Sequence, residues 1–403
     1  MKLRTAILGC GGFAHRHAAN LVGQPDKFEL VAVCDRHPER GQAFSDRYTG
    51  GRAAVVTDHH DLFDKANLDL CVICLPPYGH SDEVEVAAAH GVHLLLEKPP
   101  TPTYDDFEAL LADVDASGLT CQVGFQSLGS PAVDRIRELV RSGAVGEVVG
   151  IGAEGAWVRE RAYYDRGRWA GRRSLDGVPV VDGVLTNPLA HSVSAALRID
   201  GSETPDAVRD VAVELYRAHD IEADDTSCLR LRTRRGTVIT VAATLCATRT
   251  HEPVVTVHGT RGRIALAYKR GEVRVRTDDR AEEVQVSTHP PVPLLENLVA
   301  HLQQIGFRSA RHLVDLFGRQ FAGFTLGIDH ADAGRGLAAA HQRQERHGQN
   351  AAYAPQNREF HEFLPPQHML VCQRSFAPLS SPEESVLRPA SGDRVVGFGF
   401  APV

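Results

Sequence analysis

The most constraining feature of the sequence is a glycine-rich turn that joins an apolar run to a helix-like segment near the N-terminus. The run RTAILGC is followed by Gly9, Gly11 and Ala14, which form a GxGxxA pattern. Gly9 permits a tight turn, Gly11 lets another group approach the backbone, and Ala14 lets the helix pack closely on the strand. This order of strand, turn and helix predicts the first unit of a parallel α/β sheet.

Short apolar runs and longer periodic segments alternate over the first part of the chain. The runs include FELVAVCD, LDLCVICLP and VHLLLEKP. Such uniformly apolar runs are typical of strands in a sheet that is covered on both faces. Helix-like segments separate the runs, at 12–23, 38–48, 59–66, 80–90 and 103–117. We therefore predict an α/β Rossmann domain, with a doubly wound parallel sheet, over residues 1–125.

The pattern then changes. Strand-like runs dominate from about 145 to 290, and helix-like segments lie near 131–143 and at 293–305. We predict a second domain of α+β type over residues 126–305, with a large, mostly antiparallel open sheet. Beyond about 306 the signal weakens, and the segment 330–358 has no sustained period, so residues 306–403 form an unassigned C-terminal extension.

Composition and charge bound the partners of the chain. Its 403 residues are 43% hydrophobic and carry a formal net charge of -7. An acidic chain of ordinary composition gives no reason to expect a nucleic-acid partner. No apolar run approaches the roughly 20 residues that span a bilayer, so we expect no membrane partner.

Eight cysteines are spread along the chain, and several of them lie inside apolar runs. Reduced, buried cysteines have this distribution, which favours a cytoplasmic location. Cys71 and Cys74 form a CxxC pattern, but positions three apart in a strand point to opposite faces. No second cysteine pair completes a site, and we predict no bound metal.

The glycine-rich turn also predicts a binding site for the pyrophosphate of a dinucleotide. Free backbone N–H groups at the start of a helix attract phosphate. This site is assigned to Gly9, Gly11, Gly12, Phe13 and Ala14. A glycine-rich turn without a ligand is the plain alternative.

The second strand ends at Asp35 and Arg36, 24 residues beyond Gly11. Asp35 is placed to accept hydrogen bonds from the hydroxyls of the adenosine ribose, which favours NAD. The guanidinium of Arg36 can instead hold a 2′-phosphate, so NADP is also allowed.

Two later strand ends are predicted to line the same crevice, because ligands of such sheets bind beyond the carboxyl ends of the strands. The residues at these two ends are Leu75, Pro76, Pro77 and His80, and then Glu97 and Lys98. We expect all of them at the cofactor. The alternative for the Glu-Lys pair is an ordinary surface ion pair.

These residues, together with Gln126 in the segment VGFQ, resemble the glucose-fructose oxidoreductase, inositol dehydrogenase and MocA (Gfo/Idh/MocA) family over roughly residues 3–305. The resemblance implies a Rossmann domain joined to an open-sheet domain, with Gln126 at the cofactor. It implies hydride transfer between NAD or NADP and a secondary hydroxyl or ketone of a sugar, sugar derivative or cyclitol. It also implies a homo-oligomer, a dimer or tetramer, formed through the open sheet.

The resemblance also assigns catalytic residues. Lys98 takes the position between nicotinamide and substrate. A second family motif usually reads Gly-Gly-x-x-x-Asp-x-x-x-His, and residues 182–191 here read DGVLTNPLAH. His191 is kept and becomes the acid/base group, whereas Asn187 replaces the Asp and is limited to positioning. In the alternative, Asn187 only caps a helix that starts at Pro188, and His191 is a structural histidine.

The segment VRERAYYDRGRWAGRR, residues 158–173, is predicted to be the substrate loop. Tyr164, Trp169 and Arg172 offer stacking faces and hydrogen-bond donors to a polyhydroxylated ring. A phosphate or carboxylate on the substrate would suit the same basic cluster. An ordinary solvated loop is the plain alternative.

Two other functions are compatible with these motifs. An NAD-dependent glycosidase of the same fold oxidises its substrate transiently and then eliminates a leaving group. A cofactor-binding regulator without catalytic activity is favoured by one feature, which is Asn187 in place of the family's Asp.

Overall fold

The structure is a computed structural model and describes residues 2–286 and 294–305. Six strands of the first domain are β1 (Leu3–Leu8), β2 (Phe28–Cys34), β3 (Ala54–Val56), β4 (Leu70–Ile73), β5 (His93–Leu96) and β6 (Cys121–Val123). They form a parallel sheet in the order β3–β2–β1–β4–β5–β6. The order reverses between β1 and β4, and a crevice opens at the carboxyl ends of the strands there. The predicted doubly wound sheet is confirmed.

Helices cover both faces of this sheet. They are α1 (Ala14–Val22), α2 (Pro38–Thr49), α3 (His59–Ala66), α4 (Ser81–Ala89) and α5 (Tyr104–Ser117). Apolar side chains of α1 and α2 pack on one face, and those of α3, α4 and α5 pack on the other. Every residue of β4 and β5 is buried as a result. This burial explains why the corresponding runs of the sequence are uniformly apolar.

The second domain is built on a larger sheet. Its elements are α6 (Pro131–Arg141), β7 (Val148–Val158), α7 (Arg161–Tyr164), β8 (Ser174–Leu175), β9 (Val178–Pro179), α8 (Ala190–Asp200), β10 (Val208–Tyr216), β11 (Thr226–Thr233), β12 (Val238–Thr244), β13 (Cys246–Gly259), β14 (Gly262–Ala267), β15 (Glu272–Thr277), β16 (Arg280–Val286) and α9 (Leu294–Ile305). In the described ranges the sheet has eight strands, ordered β10–β11–β12–β7–β13–β14–β15–β16. Neighbours are antiparallel except β7 and β12.

Two helices, α6 and α8, cover one face of the large sheet. Their buried residues join a single apolar cluster with alternate residues of the central strands, such as Ile151 and Ala153 on β7. On the neighbouring strand β12, Thr240 is exposed between the buried Ile239 and Val241. The alternation of buried and exposed positions is that of a sheet with one open face. The predicted open, mostly antiparallel sheet is confirmed.

The helix α9 departs from the predicted division of the chain. The sequence placed residues 293–305 in the second domain, at its C-terminal end. In the structure Leu295, Leu298 and Leu302 are buried in the apolar cluster that also contains Leu3 and Ile7 of β1. The amphipathic face of α9 therefore completes the layer that α1 and α2 form on the Rossmann sheet. Among the described helices, none has the length and apolar character needed to cross a membrane.

Candidate active site

The glycine-rich turn follows β1 and leads into α1. Gly9 has φ of +89°, and a Cβ atom there would lie 2.7 Å from the carbonyl oxygen of Cys74 at the end of β4. Ala14 is completely buried at the start of α1. Gly9 is thus required both for its backbone conformation and for the close contact between two strand ends.

The same turn leaves room for a ligand. A Cβ atom on Gly11 or Gly12 would meet no described atom within 4 Å, and Phe13 is 41% exposed. No side chain caps α1, so its first N–H groups are available to phosphate oxygens. Nearby in the fold, Gln126 follows β6, and its buried Oε1 atom has no hydrogen-bond partner among the described residues. These features fit a dinucleotide.

Asp35 is buried at the end of β2. Its carboxylate accepts hydrogen bonds from the backbone N–H of Cys10 and of His37, both at 3.0 Å, and lies 3.4 Å from the guanidinium of Arg40. Asp35 therefore links the tip of β2 to the glycine-rich turn. Arg36 is exposed beside it. The choice between NAD and NADP remains a prediction.

His80 is fully buried below the end of β4. Its Nδ1 lies 2.9 Å from the carbonyl oxygen of Pro100, and its Nε2 lies 3.0 Å from that of Leu75. These contacts tie the loop after β4, with Pro76 half-buried and Pro77 buried, to the loop after β5. The structure thus gives His80 a place in shaping the crevice, with both ring nitrogens occupied by carbonyl groups.

Glu97 and Lys98 follow β5, and they do not form a surface pair. The Oε1 atom of Glu97 lies 2.7 Å from Nε2 of His17 on α1, and both side chains are buried. The Oε2 atom of Glu97 accepts the backbone N–H of Lys98 at 3.2 Å. A Cβ atom on Gly124 would lie 3.0 Å from Glu97 Oε1. Glu97 therefore fixes the backbone from which the Lys98 side chain projects.

Lys98 reaches across to the second domain. Its Nζ donates to the backbone oxygen of Asn187 at 2.8 Å and to the side-chain Oδ1 of Asn187 at 2.6 Å. Burial lowers the pKa of Lys98, and Arg166 lowers it further, whereas Glu97 and Asp182 raise it. Lysine has three N–H donors, so one direction at Nζ remains for a ligand. No third hydrogen bond from this atom to a described residue is present.

Asp182 lies directly behind Asn187. Its Oδ1 accepts a hydrogen bond from Asn187 Nδ2 at 2.7 Å, and its Oδ2 accepts one from the backbone N–H of Gly171 at 2.8 Å. Arg166 contacts the same Oδ2 at 3.2 Å. The carboxylate is only 7% exposed. An unbroken chain of hydrogen bonds therefore runs from Lys98 through Asn187 to Asp182.

Arg166 is held in place by aromatic faces. Its guanidinium lies 3.7 Å from the ring centroid of Tyr163 and 4.5 Å from that of Trp169. Further contacts of this kind join Arg159 to Tyr163 and Trp157, and Lys269 to Trp157. Stacked cation–π pairs restrict the side chains that take part in them. Arg166 can thus present a fixed positive charge to Asp182.

His191 is the other predicted catalytic residue, on the first turn of α8. Its Nδ1 lies 3.0 Å from the hydroxyl of Ser127, and its ring packs edge-on against Phe125. Burial and the nearby Lys98, Lys269 and Arg16 lower the pKa of His191 to about 3. The imidazole is therefore neutral at physiological pH. Its Nε2 has no hydrogen-bond partner in the described part of the chain.

The start of α8 differs from the alternative in which Asn187 caps the helix. The helix begins at Ala190, with Leu189 as the residue before it and no side-chain cap. The backbone N–H of Asn187 already donates to Gly183 at 3.0 Å, so residues 183–189 form a separate turn. The capping interpretation is wrong, because the side chain of Asn187 is committed to Lys98 and Asp182.

The three predicted substrate-binding residues do not lie together in the structure. Trp169 is half-buried against Arg166 and so lies beside Asp182. The ring of Tyr164 is buried and packs against His219, 5.0 Å between centroids. Arg172 is exposed and pairs with Glu222. Tyr164 and Arg172 line a cavity of about 580 Å³ whose described lining does not include Lys98, Asn187 or His191.

One group of residues has the spacing of metal ligands within the described ranges, namely His219, Asp225 and Cys246. Nδ1 of His219 lies 3.0 Å from Asp225 Oδ2 and 3.4 Å from the sulfur of Cys246. The Asp225 oxygens also accept the backbone N–H groups of Ala218 and His219. Burial raises the pKa of Cys246 to about 12, which keeps it a thiol. We interpret the group as a structural hydrogen-bond cluster, and the expected absence of a metal stays a prediction.

Three residues at the site were not singled out from the sequence: Asp182, Arg166 and Ser127. Asp182 had a visible signal, because it replaces the first glycine of the family motif at the same time as Asn187 replaces the aspartate. Arg166 was one of many basic residues in its segment, and Ser127 carried no signal.

Comparison with known proteins agrees with this geometry. Residues 3–125 match the family described as "Oxidoreductase family, NAD-binding Rossmann fold", and residues 133–265 match the "GFO/IDH/MocA C-terminal domain". Myo-inositol 2-dehydrogenase of Thermotoga maritima is 22% identical over 70% of this chain and 80% of its own length. The scyllo-inositol 2-dehydrogenase (NAD(+)) of Bacillus subtilis is 29% identical, but the match spans 37% of this chain and 43% of that protein.

Solved structures share the fold. An oxidoreductase of Thermotoga maritima has a TM-score of 0.69 at 20% identity, covering 83% of this chain and 97% of that one. Levoglucosan dehydrogenase in complex with NADH and levoglucosan has a TM-score of 0.68 at 19% identity, covering 81% and 95%. The chain therefore belongs to the Gfo/Idh/MocA family of oxidoreductases, with the family's NAD-binding Rossmann domain followed by its C-terminal domain.

Proposed function

We propose that the protein is an NAD(P)-dependent dehydrogenase or reductase that acts on a secondary hydroxyl or ketone of a sugar, sugar derivative or cyclitol. One observation carries the proposal. Lys98, at the carboxyl edge of the Rossmann sheet, is clamped by Asn187 of the second domain, and its charge lies close enough to His191 to lower the pKa of that imidazole. The activities of the inositol and levoglucosan dehydrogenases named above are of this class.

Oxidation of a secondary alcohol removes a hydride from carbon and a proton from oxygen, and the C=O bond forms. When bound, a nicotinamide cofactor would supply the acceptor of the hydride in oxidation and its donor in reduction. The residues of the chain must therefore hold the hydroxyl group and accept its proton. Gly9, Gly11 and Gly12 would hold the pyrophosphate, and Asp35 the adenosine ribose.

Lys98 is suited to move the proton. In the ammonium form, two of its N–H groups are bonded to Asn187 and the third faces the crevice. In the neutral form, the two remaining N–H groups keep both bonds, and the lone pair takes the third direction. Lys98 can thus accept the hydroxyl proton and return it without losing its anchor. Its lowered pKa moves it toward the value that suits a general base near neutral pH.

His191 is assigned a neutral role. Since its pKa is lowered to about 3, the imidazole does not become charged near neutral pH. Ser127 engages Nδ1 and so selects the orientation of the ring. Nε2 then forms a hydrogen bond with the oxygen of the substrate. In this mechanism the proton transfer that the sequence assigned to His191 passes to Lys98.

We also propose that the protein is cytoplasmic and forms a homo-oligomer through the open face of the large sheet. Six cysteines in the described ranges are free thiols, which favours this location, whereas Cys228 is disulfide-bonded and departs from the expected reduced state; the free ones are Cys10, Cys34, Cys71, Cys74, Cys121 and Cys246. Thr240 of β12 is exposed on the face that α6 and α8 do not cover, because its neighbours Ile239 and Val241 are buried against the helices. Trp169 is proposed to stack against the substrate ring, since it lies beside Arg166 at the edge of the site.

A spectroscopic assay of the full-length protein tests the proposed function. The protein is mixed with NAD⁺ or NADP⁺ and a panel of polyols, cyclitols and sugars, and formation of the reduced nicotinamide is followed. We expect steady-state reduction with at least one polyol. Release of an aglycone from glycosides without net reduction would show the glycosidase instead. Cofactor binding with neither reaction would contradict the proposal and indicate a regulator.

A further inference from the structure

We infer that Asp182 is a positioning residue, which supplies through the side-chain amide of Asn187 the negative charge that acts on Lys98. The inference rests on the proposed function for its catalytic meaning. The physical claim concerns only the hydrogen-bond chain between Lys98 and Asp182, which the protein contains without any substrate.

The donor and acceptor properties of Lys98 and Asp182 fix the orientation of the Asn187 side-chain amide that lies between them. In its ammonium form Lys98 can only donate hydrogen bonds, so the atom of Asn187 that it contacts at 2.6 Å is the carbonyl oxygen. A carboxylate can only accept, so the atom at 2.7 Å from Asp182 must be the amide nitrogen. The amide dipole is thereby aligned from the carboxylate to the ammonium group. Asn187 thus transmits the charge of Asp182 instead of replacing it.

The other contacts of Asp182 favour its charged form. The backbone N–H of Gly171 and the guanidinium of Arg166 both meet Oδ2, while Oδ1 is left to Asn187. Burial raises the pKa of Asp182, and these three donors oppose that effect. Charge-assisted hydrogen bonds of this kind are the stronger ones. The carboxylate is therefore held rigidly by the loop that carries Gly171 and Arg166.

Lys98 faces charged or titratable groups from both domains. On its own side these are Glu97 and, behind it, His17; across the crevice they are Asp182, Arg166 and His191. Glu97 and Asp182 raise the pKa of Lys98, and burial and Arg166 lower it. Glu97 is already bonded to His17 and to the backbone of Lys98. Asp182 is therefore the carboxylate whose removal should alter Lys98 with least effect on the backbone that carries it.

This arrangement accounts for both departures from the family motif. Position 182 has an aspartate where the motif has glycine, and position 187 has an asparagine where it has aspartate. Compared with the motif, the carboxylate lies one hydrogen bond further from Lys98, and the side-chain amide of Asn187 lies between the two. The asparagine at 187 therefore gives no support to a catalytically silent regulator.

The test is an NMR titration of the cofactor-free, full-length protein. The chain has five lysines, so ¹³C-labelling of lysine gives few Cε signals, at Lys2, Lys27, Lys65, Lys98 and Lys269. The Lys98 signal is assigned by its loss in Lys98→Arg. We expect Asp182→Asn to lower the titration midpoint of Lys98 by about one pH unit, because an opposite charge favours the ammonium form. Arg166→Gln and Asn187→Asp should each raise the midpoint.

A structural role for Asp182 would give a different result. Loosening of the loop would move the midpoint in the same direction in Asp182→Asn and Arg166→Gln, whereas a charge effect moves it in opposite directions. Asp182→Ser removes the charge without placing an amide N–H group against Gly171, and it should repeat the downward shift if Asp182→Asn misfolds. An unchanged midpoint in the folded Asp182 variants would overturn the inference.

Activity measurements separate this inference from the proposed function. In the oxidation direction, the acid limb of kcat/KM should shift with the Lys98 midpoint, to lower pH in Asp182→Asn and to higher pH in Asn187→Asp. The double variant Asp182→Asn/Asn187→Asp should lie near the wild type. Shifted midpoints in a protein that reduces no cofactor would refute the function and leave the charge chain intact. An active enzyme whose Lys98 midpoint is unshifted in the variants would refute the charge chain and leave the proposed function intact.

Discussion

Burial changes the proton affinity of individual side chains in the described structure, and one of them, Glu83, lies outside the candidate site. Glu83, in the first turn of α4, is largely buried, and its Oε2 has no hydrogen-bond partner among the described residues. Nδ1 of His59 lies 3.9 Å from Oε1, and burial lowers the pKa of this imidazole, which disfavours its charged form. Burial raises the pKa of Glu83 to about 7.

This environment predicts that burial of Glu83 lowers the free energy of unfolding in a pH-dependent way. Between the ordinary pKa of 4.5 and about 7 the folded protein binds more protons than the unfolded chain, so stability falls as pH rises through this window. At pH 8 the buried charge costs up to about 3 kcal/mol. We expect Glu83→Gln to raise the free energy of unfolding at pH 8 and to leave it nearly unchanged at pH 5. Denaturation followed by circular dichroism measures this.

Glu85→Gln serves as the matched control, because Glu85 lies on the same helix and is exposed. It should show little effect at either pH. Equal stabilisation by both substitutions, or none by Glu83→Gln at pH 8, would contradict the assigned cost of burial.

At the same scale, the sequence identified Lys98 and His191 as candidates but did not identify the side chains that surround them. Lys98 and His191 were identified from the ends of local motifs, and the structure brings both to the interface of the domains. Asp182 and Arg166 were missed, because their role depends on how the segment 158–173 folds back on the turn at 183–189. Contacts between distant segments have no periodic signal in one sequence.

The close contact between the ends of β1 and β4 at the site depends on a glycine, Gly9. The turn after β1 passes so close to the end of β4 that a side chain on Gly9 would clash with a backbone carbonyl group. Gly91, between α4 and β5, has a similar φ of +72°, but a Cβ atom there would meet no described atom within 4 Å. The two positions separate the cost of the backbone conformation from the cost of the contact.

Alanine substitutions at these two glycines should therefore differ. Gly91→Ala should cost about 1–2 kcal/mol, which is the strain of a left-handed residue. Gly9→Ala should cost about 2–5 kcal/mol, because overpacking is added to the strain. Chemical denaturation of both variants gives the two values. Equal values would show that the contact with Cys74 is unimportant, and cofactor affinity should fall only in Gly9→Ala.

Most elements of the first domain were predictable from local patterns. The segment 59–66 coincides with α3, and 103–117 differs from α5 by one residue at its start. Two features at longer range were not predictable. The start of α8 moved to Ala190 because the Asn187 side chain is used elsewhere, and α9 packs on the Rossmann sheet because apolar periodicity does not specify which core it covers.

For the whole molecule, a parallel sheet and a mostly antiparallel sheet belong to two domains that are joined at the loop carrying Lys98 and the turn carrying Asn187. Both sheet types followed from the sequence, since uniformly apolar runs and alternating runs bury their strands differently. The contact between Lys98 on one domain and Asn187 on the other is visible only in the structure.

The most direct test of the account is the turnover of Lys98→Met with a polyol that the wild type oxidises, together with its cofactor affinity. Lys65→Met, at an exposed lysine on α3, is the control. We predict that Lys98→Met lowers kcat by at least ~10²-fold, as expected for loss of a general base, while cofactor affinity changes only a few-fold. Wild-type turnover in Lys98→Met would contradict the assignment of this interface as the active site.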